Sequence, residues 1–200
     1  QRHDGQAVTC DDFAQAIADA NPGSPLTGKL DSFKRWYAQA GTPRLQARGS
    51  YDEQAQRYTL TLSQTCPATP GQADKQPFVI PVAMGLLAAD GSELLAEQLL
   101  VLDTAQHTWA FEGLGQAPVP SLLRGFSAPV RLDDGLSDAD RLVLLAHDRD
   151  PFNRWEAGQK LVLDRLLAAV ASGQAPVLDD ALAAALRHTL NDRTLDPAFK

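Results

Sequence analysis

Cysteine, methionine and histidine are scarce in this 200-residue chain, at two, one and four copies. Cys10 and Cys66 cannot build the multi-bridge framework of small secreted folds, although a single bridge between them stays open. Free thiols in a reducing cytoplasm are the preferred reading. No apolar run approaches the roughly 18 residues of a membrane span, so no membrane partner is expected. The segment Gln1 to Gly5 has neither an apolar signal region nor an initiating Met. Positive charge is also in short supply, with 18 Lys and Arg against 25 Asp and Glu and a net charge of −7. That balance argues against a nucleic-acid partner, because such affinity rests on cations neutralising phosphates.

Reactive constellations are missing as well. A zinc peptidase helix needs two histidines one turn apart with a glutamate between them to activate the metal-bound water. His3, His107, His147 and His188 are neither followed by Glu nor near one another in sequence. His147 and His188 read instead as residues near helix C-termini, where the dipole favours positive charge. Cys10 falls in a first helical turn, but Asp11 and Asp12 oppose thiolate formation, and Cys66 stands in a Pro-rich turn without a charged neighbour. No Gly-x-Ser-x-Gly elbow and no phosphate-cradling loop occur. Most of the carboxylates at Asp11-Asp12, Asp133-Asp134, Asp138/Asp140, Asp148/Asp150 and Asp179-Asp180 lie at helix starts or in a turn, where they read as caps of backbone N–H groups. Asp134, Asp138 and Asp140 lack the spacing of a calcium loop. No catalytic, cofactor-binding or metal-binding residue is therefore expected in this chain.

What is present is an ordinary globular composition, 44% hydrophobic and 22% charged, enough for a packed core. Its hydrophobic period changes twice. Residues 1–43 read as helical: Thr9-Cys-Asp-Asp12 has the form of a capping box, and Phe13, Ala16, Ile17 and Ala20 would share a buried face. A second short helix follows, with Leu30, Phe33, Trp36, Tyr37 and Ala40 on one side, ended by Gly41 and Pro43. From Arg44 the period is two. Leu45–Ser50, Tyr58–Leu62, Phe78–Leu86, Leu99–Leu102, His107–Phe111, Ser121–Phe126 and Ala128–Leu132 are candidate strands, with Tyr51-Asp-Glu in a turn. Pro77, Pro81, Pro118, Pro120 and Pro129 are expected at strand starts or edges. The set suggests an antiparallel β-sandwich. At Ser137 the helical period returns. Ser137-Asp-Ala-Asp140 forms another capping box, Asp150-Pro151 starts a helix ending near Gly173, and a third helix spans about 178–190. Asp196-Pro197 looks like a further helix start, as if the chain were cut from something longer. Trp36 and Trp155 are expected to pack at domain junctions, Trp109 in the sandwich core, and Arg154 and Glu156 in junction salt bridges. The fold class is α+β: an antiparallel β-sandwich flanked by helical segments on both sides.

Four stretches carry a resemblance. They are Phe33-Lys-Arg-Trp-Tyr-Ala-Gln-Ala-Gly-Thr-Pro43, Gln64-Thr-Cys-Pro-Ala-Thr-Pro70, Lys75-Gln-Pro-Phe-Val-Ile-Pro81 and Asp150-Pro-Phe-Asn-Arg-Trp-Glu-Ala-Gly-Gln159, joined by Val119-Pro-Ser-Leu-Leu123 before Phe126-Ser-Ala-Pro-Val130. In order and spacing they resemble the bacterial aminopeptidase N family of gluzincin metallopeptidases. The resemblance implies that 1–43 is the helical tail of a thermolysin-like catalytic domain, 44–136 a β-sandwich domain, and 137–200 the first helices of a C-terminal helical domain. It implies a zinc cofactor in the parent but none in this chain, since the zinc motif and the Gly-Ala-Met-Glu-Asn segment are absent; Met84 is flanked by Ala83 and Gly85. Partners would be the remainder of the parent polypeptide, with peptide substrates only in the full-length protein. Two other readings stand beside it: an independent non-enzymatic β-sandwich protein-binding module, and an enzyme with an unrecognised site. The resemblance further implies that exposed apolar surface in 1–43 and 170–200 awaits packing partners.

Overall fold

The computed structural model describes residues 3–26 and 28–197. Helix α1, Cys10–Ala20, opens as the sequence indicates: Thr9 Oγ1 accepts from the Asp12 N–H at 3.2 Å while the Asp12 carboxylate accepts from the Thr9 N–H at 2.9 Å. Its apolar face is a departure. Ala14 is its buried residue, whereas Phe13 and Ile17 are exposed, because no sheet lies over them. The expected second helix is two single turns, α2 (Leu30–Phe33) and α3 (Arg35–Ala38). Lys29, at the start of α2, is ion-paired to Asp103 on the sandwich.

Strands β1 (Arg44–Asp52), β2 (Arg57–Thr65), β3 (Ile80–Leu87), β4 (Glu93–Leu102), β5 (Gln106–Phe111), β6 (Val119–Leu122) and β7 (Arg131–Asp133) form two sheets, ordered β5-β2-β1-β7 and β4-β3-β6. Strict alternation on β2 turns Tyr58, Leu60, Leu62 and Gln64 inward. They meet Ile80, Val82, Met84 and Leu86 of β3, with Phe78, Leu45 and Leu102 closing the core. Each such side chain contributes about 1.5–3 kcal/mol of burial. Trp109 is half-buried at the margin of this core.

Three strand expectations are corrected. Tyr51 is the penultimate residue of β1, paired with Tyr58, and the hairpin turn comes after Asp52. The run Ser121–Phe126 is strand only to Leu122, because Leu123 takes a left-handed conformation (φ 59°) and a 3-10 turn, Arg124–Phe126, follows. Ala128–Leu132 yields only the three-residue β7, which lies parallel to β1 within otherwise antiparallel sheets. Pro81 lies inside β3, but β6 pairs with β3 only over Met84–Leu87, so the missing Pro81 N–H deprives no ladder on that side.

Helices α4 (Asp138–His147), α5 (Pro151–Ser172) and α6 (Asp180–Asn191) follow. Ser137 and Asp140 form the reciprocal cap of α4 at 3.2 and 3.0 Å. Asp150 and Asp179 each accept from the N3 backbone N–H at 2.8 Å. Gly173 ends α5 with φ 67°, as a C-terminal glycine does. Leu145, Ala146, Leu161, Leu182 and Ala185 make the interhelical core, while Leu87, Val119, Leu144 and Ala157 join it to the sandwich. That second contact covers Leu87, and the Arg124 guanidinium covers Gly85, so the end of β3 is buried on both faces. Residues 198–200, the continuation after Asp196-Pro197, lie outside the described residues.

Candidate functional site

The residues with chemical potential do not converge. His3 precedes α1, His107 lies against Trp109 with ring centroids 4.4 Å apart, and the His147 and His188 rings meet at 4.7 Å near the ends of α4 and α6, each pair tilted by 57°. Burial pulls the His147 pKa down, helped by the charges of His188 and Arg154 and opposed by Asp90. No cluster of three or more His, Cys, Asp or Glu able to hold a metal occurs among the described residues. A zinc centre of three or four such ligands therefore does not fit this donor set. Cys10 and Cys66 are both free thiols.

Instead, the residues singled out by sequence converge on two joints, one at each side of the sandwich. The first is built from three of the four stretches. Trp36 on α3 donates its indole N–H to the Val79 carbonyl at 2.8 Å and sets its ring 4.6 Å from Phe78. Arg35 bonds the Pro77 carbonyl at 2.6 Å. Gln39 and Gln76 bond reciprocally, the Gln39 amide donating to Gln76 O at 2.9 Å and accepting from Gln76 N at 2.6 Å. Lys75 reaches Ala40 O at 2.9 Å, Thr69 Oγ1 at 2.7 Å and Gln72 Oε1 at 2.7 Å. Gly41 (φ 97°) lies so close that a Cβ there would sit 3.2 Å from Cys66 Sγ. Beneath this contact the buried Gln64 amide replaces a strand neighbour: it accepts from Phe78 N and donates to Phe78 O, both at 2.8 Å, and to Thr104 O at 2.9 Å. A buried amide must be satisfied in this way to be tolerated.

The second joint is built by the Asp150–Gln159 stretch. Arg124, in the turn after β6, is 5% exposed; its Nε donates to Ser121 Oγ at 2.9 Å and its Nη2 to Asp148 Oδ1 at 3.2 Å. Asp148 is fully buried, and Oδ1 also accepts from the Asp150 N–H at 3.0 Å. Oδ2 has no well-formed hydrogen bond. Burial pushes the Asp148 carboxyl up, while the nearby Ser121 hydroxyl, the Asp150 N–H and Arg124 favour its charge. Asp150 caps α5 with one oxygen and takes the Gly125 N–H at 2.8 Å with the other, tying helix to turn. Asn153 donates to Ser121 Oγ at 2.8 Å and Leu122 O at 2.9 Å. The positive φ of Leu123 and of Phe126 (53°) places this turn in a sparsely populated region that its surroundings hold in place.

Arg154, expected in a junction salt bridge, pairs with Asp192 at 3.1 Å within the helical layer. It is 3% exposed, and it closes the helical layer by donating to Leu145 O, Ala146 O, Thr189 Oγ1 and Asp192 Oδ2 at 3.1, 2.9, 3.2 and 3.1 Å. Trp155 is 50% exposed, its ring 5.9 Å from that of Phe152, which is itself in contact with the exposed Phe126. Asp133 ends β7 and Asp134 begins the turn before α4, where Asp134 Oδ1 accepts from the Leu136 N–H at 3.1 Å. Asp133 is held by Arg48 at 2.8 Å, which with Gln46 brings its pKa down to about 2. Asp134 is a third tie between sandwich and helices, bonding Arg141 on α4 at 3.1 Å and Lys160 on α5 at 3.2 Å. Burial raises the Asp134 pKa, but the Leu136 N–H, Lys160 and Arg141 outweigh it and the net shift is down. The role of Arg124 was invisible in sequence; its only signal was a lone arginine in a hydrophobic run.

Comparison with known proteins places this architecture. Residues 41–135 match the domain of unknown function DUF3458, described as an Ig-like fold, and residues 138–200 match DUF3458_C, described as ARM repeats. Over its whole length the chain is 40% identical to aminopeptidase N of Escherichia coli and 46% identical to that of Caulobacter vibrioides, spanning 23% of each. Aminopeptidase N of Haemophilus influenzae is 36% identical over 94% of the chain and 22% of its own length. Among solved structures, Legionella pneumophila aminopeptidase A in complex with aspartic acid superposes with a TM-score of 0.79 at 31% identity, over 96% of this chain and 21% of that one. The chain thus spans less than a quarter of the relatives it matches.

Proposed function

The chain belongs to the aminopeptidase N family, and from that premise we propose that it is the joint of a zinc-dependent aminopeptidase, carrying no reactive centre of its own. On this reading residues 1–43 end a catalytic domain, 44–136 form a sandwich domain, and 137–200 open a C-terminal helical domain. The carrying observation is where the recognisable residues go. Trp36, Gln39, Gly41, Lys75 and Gln76 meet at one joint, and Asp150 and Asn153 at the other.

In the parent, zinc would polarise a peptide carbonyl and lower the pKa of the attacking water. This chain's residues do none of that. They fix the relative placement of two domains through directional hydrogen bonds and ion pairs, and a displacement of about 1 Å at a reacting centre is enough to lower a rate by orders of magnitude. Partners are the remainder of the polypeptide, and peptide substrates meet only the full-length protein. The free thiols support a reducing, cytoplasmic setting. Among the described residues no helix is long and apolar enough to cross a membrane.

The test is zinc titration of the purified chain together with an alanyl anilide assay. We expect no stoichiometric zinc and no chromophore release; one equivalent of zinc whose removal by chelator abolishes turnover would overturn the reading.

A further inference from the structure

Two histidine rings meet where α4, α6 and the turn between β3 and β4 come together. His147, in the last turn of α4, and His188, in the last turn of α6, stand with ring centroids 4.7 Å apart and planes tilted by 57°. Among the described residues neither ring forms a hydrogen bond or an ion pair. His147 cannot retreat. A Cβ at Gly91 (φ 85°), in the β3–β4 turn, would fall 2.3 Å from the Cβ and Cγ of His147, so that side chain already lies against backbone. The two rings border a cleft of about 340 Å³ whose remaining lining is alanine, Leu142 and Val143, so no carboxylate stands between them.

The other charges around the pair are positive or already engaged. From α5, Arg154 brings a permanent cation; at the end of α4 it occupies the Leu145 and Ala146 carbonyls, which would otherwise favour a protonated histidine. From α6, Arg187 and Asp192 border the His188 side, and Asp192 is taken by Arg154 at 3.1 Å. From the β3–β4 turn Asp90 faces His147, but its carboxylate is held by Ser92, from whose hydroxyl and N–H it accepts at 2.6 and 2.9 Å. Asp148, the residue after His147, turns to Arg124 on the sandwich side. Burial, helped by His188 and Arg154, accordingly lowers the His147 pKa. A histidine lowered on folding contributes stability that is full above the unfolded value of about 6.5 and is lost as pH falls from there toward the folded value. Asp148, raised by burial, has the opposite sign and gains as pH falls, so it cannot supply such a loss.

We propose that His147 and His188 form a pH-sensitive latch, which holds the C-terminal half of α6 on α4 while both rings are neutral and loosens it when both carry a proton. Repulsion displaces α6 rather than His147, because His188 is exposed and can move outward whereas His147 is backed by the Gly91 turn. The latch lies within the helical layer and holds whether or not the chain serves as a joint. Hydrogen exchange of the full chain, corrected for the intrinsic pH dependence of the amide rate, tests it at about pH 7.5 and about pH 5.5. We expect opening of α6 to rise about threefold or more at the lower pH while β2 and β3 keep their protection. The rise should disappear in His147→Gln and in His188→Gln, the second a change at an exposed site that spares the fold, and persist in His107→Gln. Proton NMR of the ring C–H signals supplies a second readout: the His147 midpoint should move upward in His188→Gln, because a neighbouring charge has gone. Equal α6 opening at both pH values, or a rise that survives either substitution, would overturn the proposal. So would a His147 midpoint unmoved by His188→Gln.

Discussion

Asp148 Oδ1 and Arg124 Nη2 stand 3.2 Å apart with their side chains 0% and 5% exposed, an ion pair sealed between the sandwich and the helices. Removing Arg124 leaves the buried Asp148 without its cationic partner, and removing Asp148 leaves the buried guanidinium only the longer contact to Glu93 Oε1 at 3.7 Å. Asp148→Ala or Arg124→Ala should each lower stability by about 3–5 kcal/mol, read from urea midpoints, whereas Asp148→Leu with Arg124→Met should recover most of the loss. A single variant losing under about 1 kcal/mol would place the pair outside the joint's energetics.

Gly85 makes this arrangement sterically possible. A Cβ at that position would come within 2.5 Å of Arg124 Nη1, and the guanidinium is pinned by Ser121 and Asp148. Gly85→Ala should cost about 1–3 kcal/mol as overpacking. In an Arg124→Ala background that penalty should vanish, and a double-mutant cycle measures the coupling.

Arg154 serves the C-terminal ends of α4 and α6 at once. Arg154→Ala should free the Leu145 and Ala146 carbonyls and the Thr189 contact, with hydrogen exchange accelerating across both helix ends while β2 and β3 keep their protection. Uniform acceleration through the sandwich would show that the helical layer does not open separately.

Acid lability has two opposing contributions. Asp133, brought to about 2, and Asp134, also lowered, stabilise the fold above the unfolded carboxyl value of about 3.9 and lose that contribution as pH falls toward their folded values. Asp148, raised by burial, acts in the reverse sense: its contribution falls as pH rises from the unfolded value through its folded one. Asp133→Asn should therefore flatten the decline in thermal midpoint between about pH 4 and about pH 2, by a surface pair's worth, under about 1 kcal/mol.

Helix α5 leaves Leu163, Leu167 and Val170 exposed, the last at 80%, in line with Trp155 and Leu166. This stripe should drive concentration-dependent association of the chain. Sedimentation should show it weakening in Leu163→Lys/Leu167→Lys; a strictly monomeric parent at high concentration would contradict the expectation.

Local chemistry was the most legible part of the sequence. The caps at Thr9, Ser137, Asp150 and Asp179 depend on a residue and its partner three positions on, and all four formed. The alternation of Tyr58, Leu60 and Leu62 likewise fixed their burial. Arg154 forms an ion pair as expected, but with Asp192 inside the helical layer, a partner 38 residues away that local sequence does not point to. Trp155 and Phe13 were misread: an apolar face announces that it wants burial, not what will cover it. The turn at Leu123 stayed hidden because its conformation is imposed by Asp150 and the buried Arg124, both placed by distant contacts.

The joint claim meets its most direct test in a chimaera, with this chain replacing the matching segment of Escherichia coli aminopeptidase N and alanyl anilide hydrolysis as the readout. We expect the chimaera to be active, and its Arg124→Ala and Asp148→Ala versions to lose most activity or inactivate at markedly lower temperature. Versions as active and as heat-stable as the intact chimaera would contradict the account.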